Sequence, residues 1–468
     1  MLWQDFLIPY LGIIVGSIFA LFVLGHMLRQ RRPPASTVAW LLAIILIPYV
    51  GIPLYILLGG RKIRRLARRK KKLLLGGFEE IPLEKTALAD RFLRSYGLPG
   101  ATANNHIEFH NNGQTSYQAL IDLIDRAEVS IHIAIFIFAA DPVGQDLLER
   151  LEKKAKQGID VRLLLDSFGC RLLPSRLLRP LRSAGGRVAY FMPMFWKSLR
   201  SHLKFPGNAH LRNHRKLVVV DGTEVWAGGA NLAQEYIGPR RSAKRWKDLT
   251  FIIRGEAAKV YQEIFRLDWN FASSEQMDKT LPAHRLVTGG TETIQVVPSG
   301  PDIPDDPFYS AVLTACHTAN HRLWVVTPYF IPDEPLLQAM SIAIHRGVDV
   351  RVVVPLKSNH LVADIARGSF LRDLQQAGGT VLLHRGKMMH AKALIFDQNL
   401  AVVGSANMDA RSLFFNYEVV SFLYSPQAIA AVDSYIISLL RHCRVGVRQA
   451  GRFREFGAGL IRLIAPLL

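Results

Sequence analysis

One pattern of chemically able side chains is written twice in this 468-residue chain. His214-Arg215-Lys216 leads into Leu217-Val218-Val219-Val220 and Asp221, and His390-Ala391-Lys392 leads into Ala393-Leu394-Ile395-Phe396 and Asp397. Seven residues beyond each aspartate a small-residue turn begins and runs to asparagine: Gly228-Gly229-Ala230-Asn231 and Gly404-Ser405-Ala406-Asn407. His214 to Asn231 and His390 to Asn407 both span 17 positions. Each copy offers an imidazole that can attack or protonate, a fixed cation and a neutral amide donor. That set suits a tetrahedral phosphate: lysine and amide hold nonbridging oxygens while the imidazole works on phosphorus or the leaving oxygen. A single H-x-K-x4-D run is a common accident on a strand. A second copy with the same turn at the same offset is not.

The apolar, β-branched run after each lysine predicts a buried strand. Side chains two apart on a strand share a face, so His214 is expected to point with Lys216 and His390 with Lys392. The glycines close a following strand and let backbone approach closely, which presents Asn231 and Asn407 beside the histidines. Upstream of the first copy, the pattern predicts a helix over Tyr117 to Ala127, a strand over Ser130 to Phe138, a helix over Gln145 to Gln157 and a strand over Gly158 to Leu165. The second copy has matching stretches at Phe308 to Ala319, Leu323 to Thr327, Glu334 to Arg346 and Gly347 to Val354. Such alternation implies an α/β sandwich in each half, the two forming a pseudo-twofold pair with both motifs at the seam. The halves are unequal. Gly185-Gly186 matches Gly378-Gly379, yet the motif histidine follows Gly185 by 29 residues and Gly378 by 12. The extra segment, Tyr190 to Phe205, interleaves aromatic, methionine and basic residues, and reads either as an interfacial lip for acyl chains or as a loop tucked onto the core.

The doubled motif resembles the phospholipase D superfamily. Its flanks, Arg212-Asn213-His214-Arg215-Lys216 and Asn407-Met408-Asp409-Ala410-Arg411-Ser412, are similar to bacterial cardiolipin synthases, and the resemblance extends over the apolar N-terminus and the last residues. It implies an α/β fold of two phospholipase D-like sandwich halves related by pseudo-twofold symmetry, preceded by an N-terminal membrane helical hairpin. It also implies a catalytic set of His214, Lys216, Asp221, His390, Lys392 and Asp397, with Asn231, Asn407 and Ser405 on the substrate phosphate. Gly229 stands where Ser405 stands in the second copy, as in cardiolipin synthases, so the half-sites need not be equivalent. A catalytic imidazole needs its other nitrogen held, usually by a carboxylate. The resemblance points to Glu418, 28 positions after His390. The matching acid of the first half is taken as Asp248, 34 positions after His214, which requires a six-residue insertion within Tyr236 to Arg245. Each acid is thereby assigned to the histidine of its own half. Asp221 and Asp397 close the motif at the far end of a strand, about five residues at ~3.3 Å each from the histidines. They read as capping or ion-paired groups rather than proton carriers, and Arg411 as the partner of a nearby acid.

The chain is long enough for two core-bearing domains. With 58 basic against 38 acidic side chains its net charge is +20, which favours an anionic partner, a membrane surface or nucleic acid. Three scattered cysteines give no disulfide framework, and no glycine-rich nucleotide motif or carboxylate cage is present, so a mechanism without metal or cofactor is expected. Phe6 to Leu28 and Pro33 to Gly60 carry no charged residue, and each exceeds the roughly 20 residues that span a bilayer. No Lys or Arg precedes the first stretch, which counts against a cleaved signal peptide. Arg29-Gln30-Arg31-Arg32 between them leaves a re-entrant hairpin as the alternative to two spans. Nine basic residues between Arg61 and Lys72 place the chain beyond Gly60 on the cytoplasmic side, against anionic headgroups. The expected organisation is a membrane hairpin over 1–60, a basic segment and connector over 61–104, and catalytic halves over 105–275 and 293–445. A connector over 276–292 separates the halves, and an amphipathic surface segment occupies 446–468.

These readings converge on a phosphatidyltransferase of the bacterial inner membrane. It would act on phosphatidylglycerol and other anionic phospholipids in the bilayer, with no nucleic-acid partner expected and a homo-oligomer left open. By resemblance, His214 is the nucleophile and His390 the acid and base. The motif alone also admits a hydrolytic phospholipase D, or a membrane-tethered phosphodiesterase or nuclease. The nuclease is disfavoured because nine of the charges lie against the membrane rather than along a groove.

Overall fold

The computed structural model describes residues 87–192, 211–273 and 289–449, the shorter pieces 34–47, 78–82 and 275–278, and positions 21, 25, 51, 55 and 451. The chain divides into two compact units, 1–69 with 195–210, and 70–194 with 211–468. In the first, a helix covers Pro34–Leu46, and the Trp40 and Tyr55 rings meet edge-on at 5.5 Å. Among the described residues no helix is long and apolar enough to cross a membrane. Most of the stretch Phe6 to Leu28, the basic run Arg61 to Lys72 and the tail from Phe453 lie outside the described residues.

The second unit holds both motif copies. Its first half supplies β1 (Thr102–His110), β2 (Ser130–Ile135), β3 (Asp160–Asp166), β4 (Arg187–Phe191), β5 (Leu217–Val220), β6 (Glu224–Gly228) and β7 (Thr250–Arg254). The second half supplies β8 (Glu292–Ser299), β9 (Arg322–Val326), β10 (Phe330–Ile331), β11 (Asp349–Pro355), β12 (Thr380–His384), β13 (Ala393–Phe396), β14 (Leu400–Gly404), β15 (Met408–Asp409), β16 (Glu418–Leu423) and β17 (Cys443–Val445). Apart from the short β10–β15 pair, they form one sheet in the order β17-β12-β11-β9-β13-β14-β16-β8-β1-β7-β6-β5-β2-β3-β4. Read outward from the antiparallel β8–β1 pair the order is the same on both sides, with β17 added at one edge. The pseudo-twofold axis therefore passes through the β8–β1 pair.

Local chemistry builds both halves alike. Asp141 and Asp333 cap the helices Pro142–Lys156 and Glu334–His345 by accepting from the Gly144 and Leu336 amides. Gly158 and Gly347 follow those helices with φ of 86° and 87°, the left-handed turn that sends the chain into β3 and β11. β5 and β13 read Leu-Val-Val-Val and Ala-Leu-Ile-Phe and are buried throughout, as strands covered on both faces must be. Each half has its own apolar core cluster. The halves are also joined through the helix Glu256–Ser273, where the Tyr261 hydroxyl meets Ser421 Oγ of β16 at 2.9 Å. The expected strand over Ser130 to Phe138 is shorter than its pattern, because beyond Ile135 the backbone leaves the sheet. There Ile137 donates its N–H to Asn231 Oδ1, and Leu232 donates to the Ile137 carbonyl.

Candidate active site

The two histidines sit in extended backbone just ahead of β5 and β13, and that backbone is stitched to the opposite half. His214 donates its N–H to the Tyr417 carbonyl at 2.9 Å, and Tyr417 donates to the Arg212 carbonyl at 2.9 Å. His390 donates to the Lys247 carbonyl at 2.7 Å, and Lys247 to the Met388 carbonyl at 2.8 Å. Each histidine strand thus runs beside the residue that precedes the other half's acid.

That stitching overturns the within-half pairing of histidines and acids. Glu418 lies 2.8 and 3.0 Å from Nδ1 of His214, not of His390. Asp248 lies 2.8 Å from Nδ1 of His390, not of His214. Glu418 opens β16 and Asp248 lies two residues ahead of β7, and each places its carboxylate across the axis. Each acid thus meets the histidine of the opposite half.

Burial governs the protonation states. Loss of water pulls His214 down to about 4, against the upward pull of Glu418 and with Lys216 and Lys392 pushing the same way as burial. His390 falls to about 3 by burial and the adjacent Lys392, against Asp248. Burial alone would favour neutral acids. Instead His214 and Lys216 hold Glu418, and Lys392 and His390 hold Asp248, below the ordinary carboxylate range. The resting state is thus a neutral imidazole donating Nδ1–H to a carboxylate anion in each half, which leaves the lone pair on Nε2. Burial also brings Lys216 down to about 7 and Lys392 to about 8. Lys392 depresses His214 while Lys216 depresses His390, so each half-site feels the other's cation.

The lysines lie close to their histidines. Lys216 Nζ donates to the His214 carbonyl at 2.8 Å, while Lys392 Nζ donates to the His390 carbonyl and lies 2.8 Å from Nδ1 and 3.2 Å from Nε2 of the His390 ring. Asn231 is buried, its Oδ1 accepting from the Ile137 N–H while its side chain hydrogen-bonds Tyr236. Asn407 is equally buried, and its Oδ1 has no partner among the described residues.

Three further expectations change. Ser405, assigned to the substrate phosphate, gives its hydroxyl proton to Glu418 Oε2 at 2.5 Å and accepts the Val419 N–H, so it braces the acid instead. Its counterpart must be glycine: a Cβ on Gly229 would lie 2.1 Å from Asp248 Oδ1. Aspartate is one methylene shorter than glutamate, so its carboxylate fills the place of the serine side chain. Asp221 and Asp397, counted with the catalytic set by resemblance, are structural, as their distance along the strand suggested. Asp221 accepts the N–H groups of Glu128, Val129 and Ser130, and Asp397 those of Asn320, His321 and Arg322. Each thus anchors the turn that enters β2 or β9. Of the interfacial lip, Phe191 and Met192 are core residues, Phe191 packing on Tyr417 at 4.9 Å, and residues 193–205 lie outside the described residues.

Sequence reasoning missed the walls and the brace behind them. Phe136 meets His214 edge-on at 4.9 Å, and Tyr236 and Trp246 pack on His390 at 5.1 and 5.5 Å. Arg215 is wholly buried, paired to Asp268 at 2.5 Å, and donates Nε to the Glu418 carbonyl at 3.0 Å. The second copy carries Ala391 there, and that exchange of a charged for an apolar side chain inside the motif was the available signal. Burial pushes Asp409 up to about 6, against the pull of the nearby Arg411. Among the described residues no group of His, Cys, Asp or Glu is arranged to hold a metal ion.

Two interlocked α/β halves, each presenting a histidine and a lysine to a shared seam, define a phospholipase D-like protein. The cardiolipin synthase, PLD-like domain family model matches residues 120–269 and 312–440, and the phospholipase D-nuclease N-terminal model matches 18–60. The chain is 31% identical to cardiolipin synthase 1 of Bacillus anthracis over 97% of its length and 92% of the relative's. It is 32% identical to the major cardiolipin synthase of Bacillus subtilis over 88% of both chains. The crystal structure of phosphatidylserine synthase from Haemophilus influenzae shares the fold, with a TM-score of 0.62 at 15% identity over 82% of this chain and all of that one. The chain belongs to the cardiolipin synthase family.

Proposed function

We propose that this protein is a phosphatidyltransferase that makes cardiolipin from two phosphatidylglycerol molecules and releases glycerol. The observation that carries the reading is the crossed pairing, which puts two neutral, carboxylate-oriented imidazoles from opposite halves at one seam. His214 Nε2 attacks phosphorus of the donor lipid and the P–O bond to glycerol breaks. The departing oxygen takes a proton from His390, leaving a phosphohistidine. His390 then removes the proton from the acceptor hydroxyl, whose oxygen attacks phosphorus as the P–N bond breaks and His214 regains its lone pair. Such acid–base help is worth roughly 10²–10⁴-fold. Nε2 of His390 takes its first proton from water as the phosphodiester anion arrives and offsets the burial that keeps the ring neutral. Lys216 and Lys392 neutralise the nonbridging oxygens, aided by the amides of Asn231 and Asn407. Nucleophile is assigned to His214 by resemblance, and Glu418, braced by Ser405, holds its ring at a tautomer that frees Nε2.

The catalytic halves are read as 105–275 and 293–445, the remaining boundaries staying as the sequence suggested. The uncharged N-terminal stretches hold the protein at the bacterial inner membrane with the site on the cytoplasmic face, where its anionic lipid substrates lie. The test is incubation of the purified full chain with labelled phosphatidylglycerol in EDTA. A four-chain lipid plus free glycerol is expected. Phosphatidic acid as the sole lipid product would replace transfer by hydrolysis, and loss of activity in EDTA would end the metal-free scheme.

A further inference from the structure

The first half carries six more residues between its asparagine and its acid than the second: 17 positions separate Asn231 from Asp248, against 11 from Asn407 to Glu418. The surplus falls in Gly238-Pro239-Arg240-Arg241-Ser242-Ala243-Lys244-Arg245. This loop is firmly mounted. Its ends stand on the ring of His390, since Tyr236 and Trp246 pack on each other at 4.7 Å and both on that imidazole. Gly238 donates its N–H to the Gly113 carbonyl at 3.0 Å. Arg245 folds back to donate to the carbonyls of Gln234 at 3.2 Å and Arg240 at 2.7 Å, so its guanidinium is turned into the loop. Lys247, at the loop's exit, makes the main-chain bonds to Met388 and His390 that join it to the second half.

The other cations of this edge face solvent. Arg240, Arg241, Lys244 and Lys247 are exposed, as are Arg385 and Lys387 just before Met388. None of the six forms a salt bridge among the described residues. Like charges so gathered repel one another until an anionic partner supplies the counter-charge.

We propose that this loop, with Arg385 and Lys387, is a rim that seats the phosphates of an anionic phospholipid surface beside His390, on the side from which the second lipid enters; this rests on the transferase reading. Separate exposed cations at one edge match a plane of headgroups better than a single ligand.

The test uses the full chain and its variant Arg240→Gln/Arg241→Gln/Lys244→Gln, with labelled phosphatidylglycerol diluted in phosphatidylcholine vesicles. A basic residue near an anionic surface is worth roughly a fivefold change in affinity. The surface KM is therefore expected to rise about tenfold or more with kcat at saturating phosphatidylglycerol unchanged, and added salt is expected to inhibit the variant less. Arg240→Lys/Arg241→Lys, which keeps the charge, is expected to behave as wild type. A wild-type KM and salt response in the glutamine variant would overturn the proposal. So would a variant that loses binding to a DNA duplex while keeping its KM for phosphatidylglycerol. Wild-type protein that releases only phosphatidic acid would strike the transferase reading, while the KM comparison would still decide the rim.

Discussion

Two imidazoles made neutral by burial, yet tied to carboxylate anions, set the behaviour of this protein at the residue scale. Removing either ring should abolish transfer: His214→Ala and His390→Ala are each expected to lose at least 10²-fold in kcat, measured on labelled phosphatidylglycerol. Retained activity in either variant would count against a scheme that needs both. The pH profile is set by the same groups. His214 becomes protonated only below about 4, so the acid limb of kcat/KM should lie well under the ordinary histidine range. Lys216 and Lys392 lose their protons from about 7 and about 8 upward in the empty site, so kcat/KM should decline on the alkaline side. Glu418 raises His214, hence Glu418→Gln should move the acid limb further down and slow the reaction. Asp248→Asn should leave that limb where it is. An Asp248 substitution that moved it would contradict the crossed pairing.

At the scale of elements, the two acid strands are fitted to different neighbours. β16 carries Glu418 with Ser405 packed beside it, whereas the segment entering β7 carries the shorter Asp248 against bare Gly229. Gly229→Ser, the residue of the other half, should therefore damage rather than mimic. Its Cβ would displace Asp248 by about an ångström, and misplacement of that size costs on the order of 10²-fold in rate. The folded content by circular dichroism should stay near wild type while kcat falls, and a fully active Gly229→Ser would refute the fit. Elements also explain why the motif aspartates recur without touching the reaction. Asp221 and Asp397 sit at φ of 50° and 52°, a conformation aspartate tolerates better than most side chains, and each gathers three successive amides.

For the whole molecule, the question is what keeps the halves in register at the seam. Arg215 belongs to the first half, and it grips Asp268 of its own half while donating to the carbonyls of Glu418 and Ser299 from the second. Truncating one partner of a buried ion pair strands the other, at a cost of roughly 3–5 kcal/mol. Arg215→Ala should lower the thermal unfolding midpoint of the purified chain by several degrees and reduce kcat through a displaced Glu418. Asp268→Ala should do the same, and the double substitution should cost less than the sum. Additive losses would show that the pair does not act as one brace.

The sequence by itself determined the doubled half-site and the α/β alternation in each half. These are written in local spacing: the 17-residue interval, the β-branched runs and the matched glycines after two helices all act within a few dozen residues. It even located the six-residue surplus that became the basic loop, though not what that loop stands on. What only the tertiary structure decided was partnership across the seam. Which histidine meets Glu418, why Ser405 braces an acid instead of a phosphate, and why Arg215 is buried all depend on residues from opposite halves that approach through main-chain bonds at Tyr417 and Lys247. A pattern read along one chain carries the period of its strands. It carries no sign of which of two similar halves a strand end will face, because that choice is made by the axis through β8 and β1 rather than by any local preference.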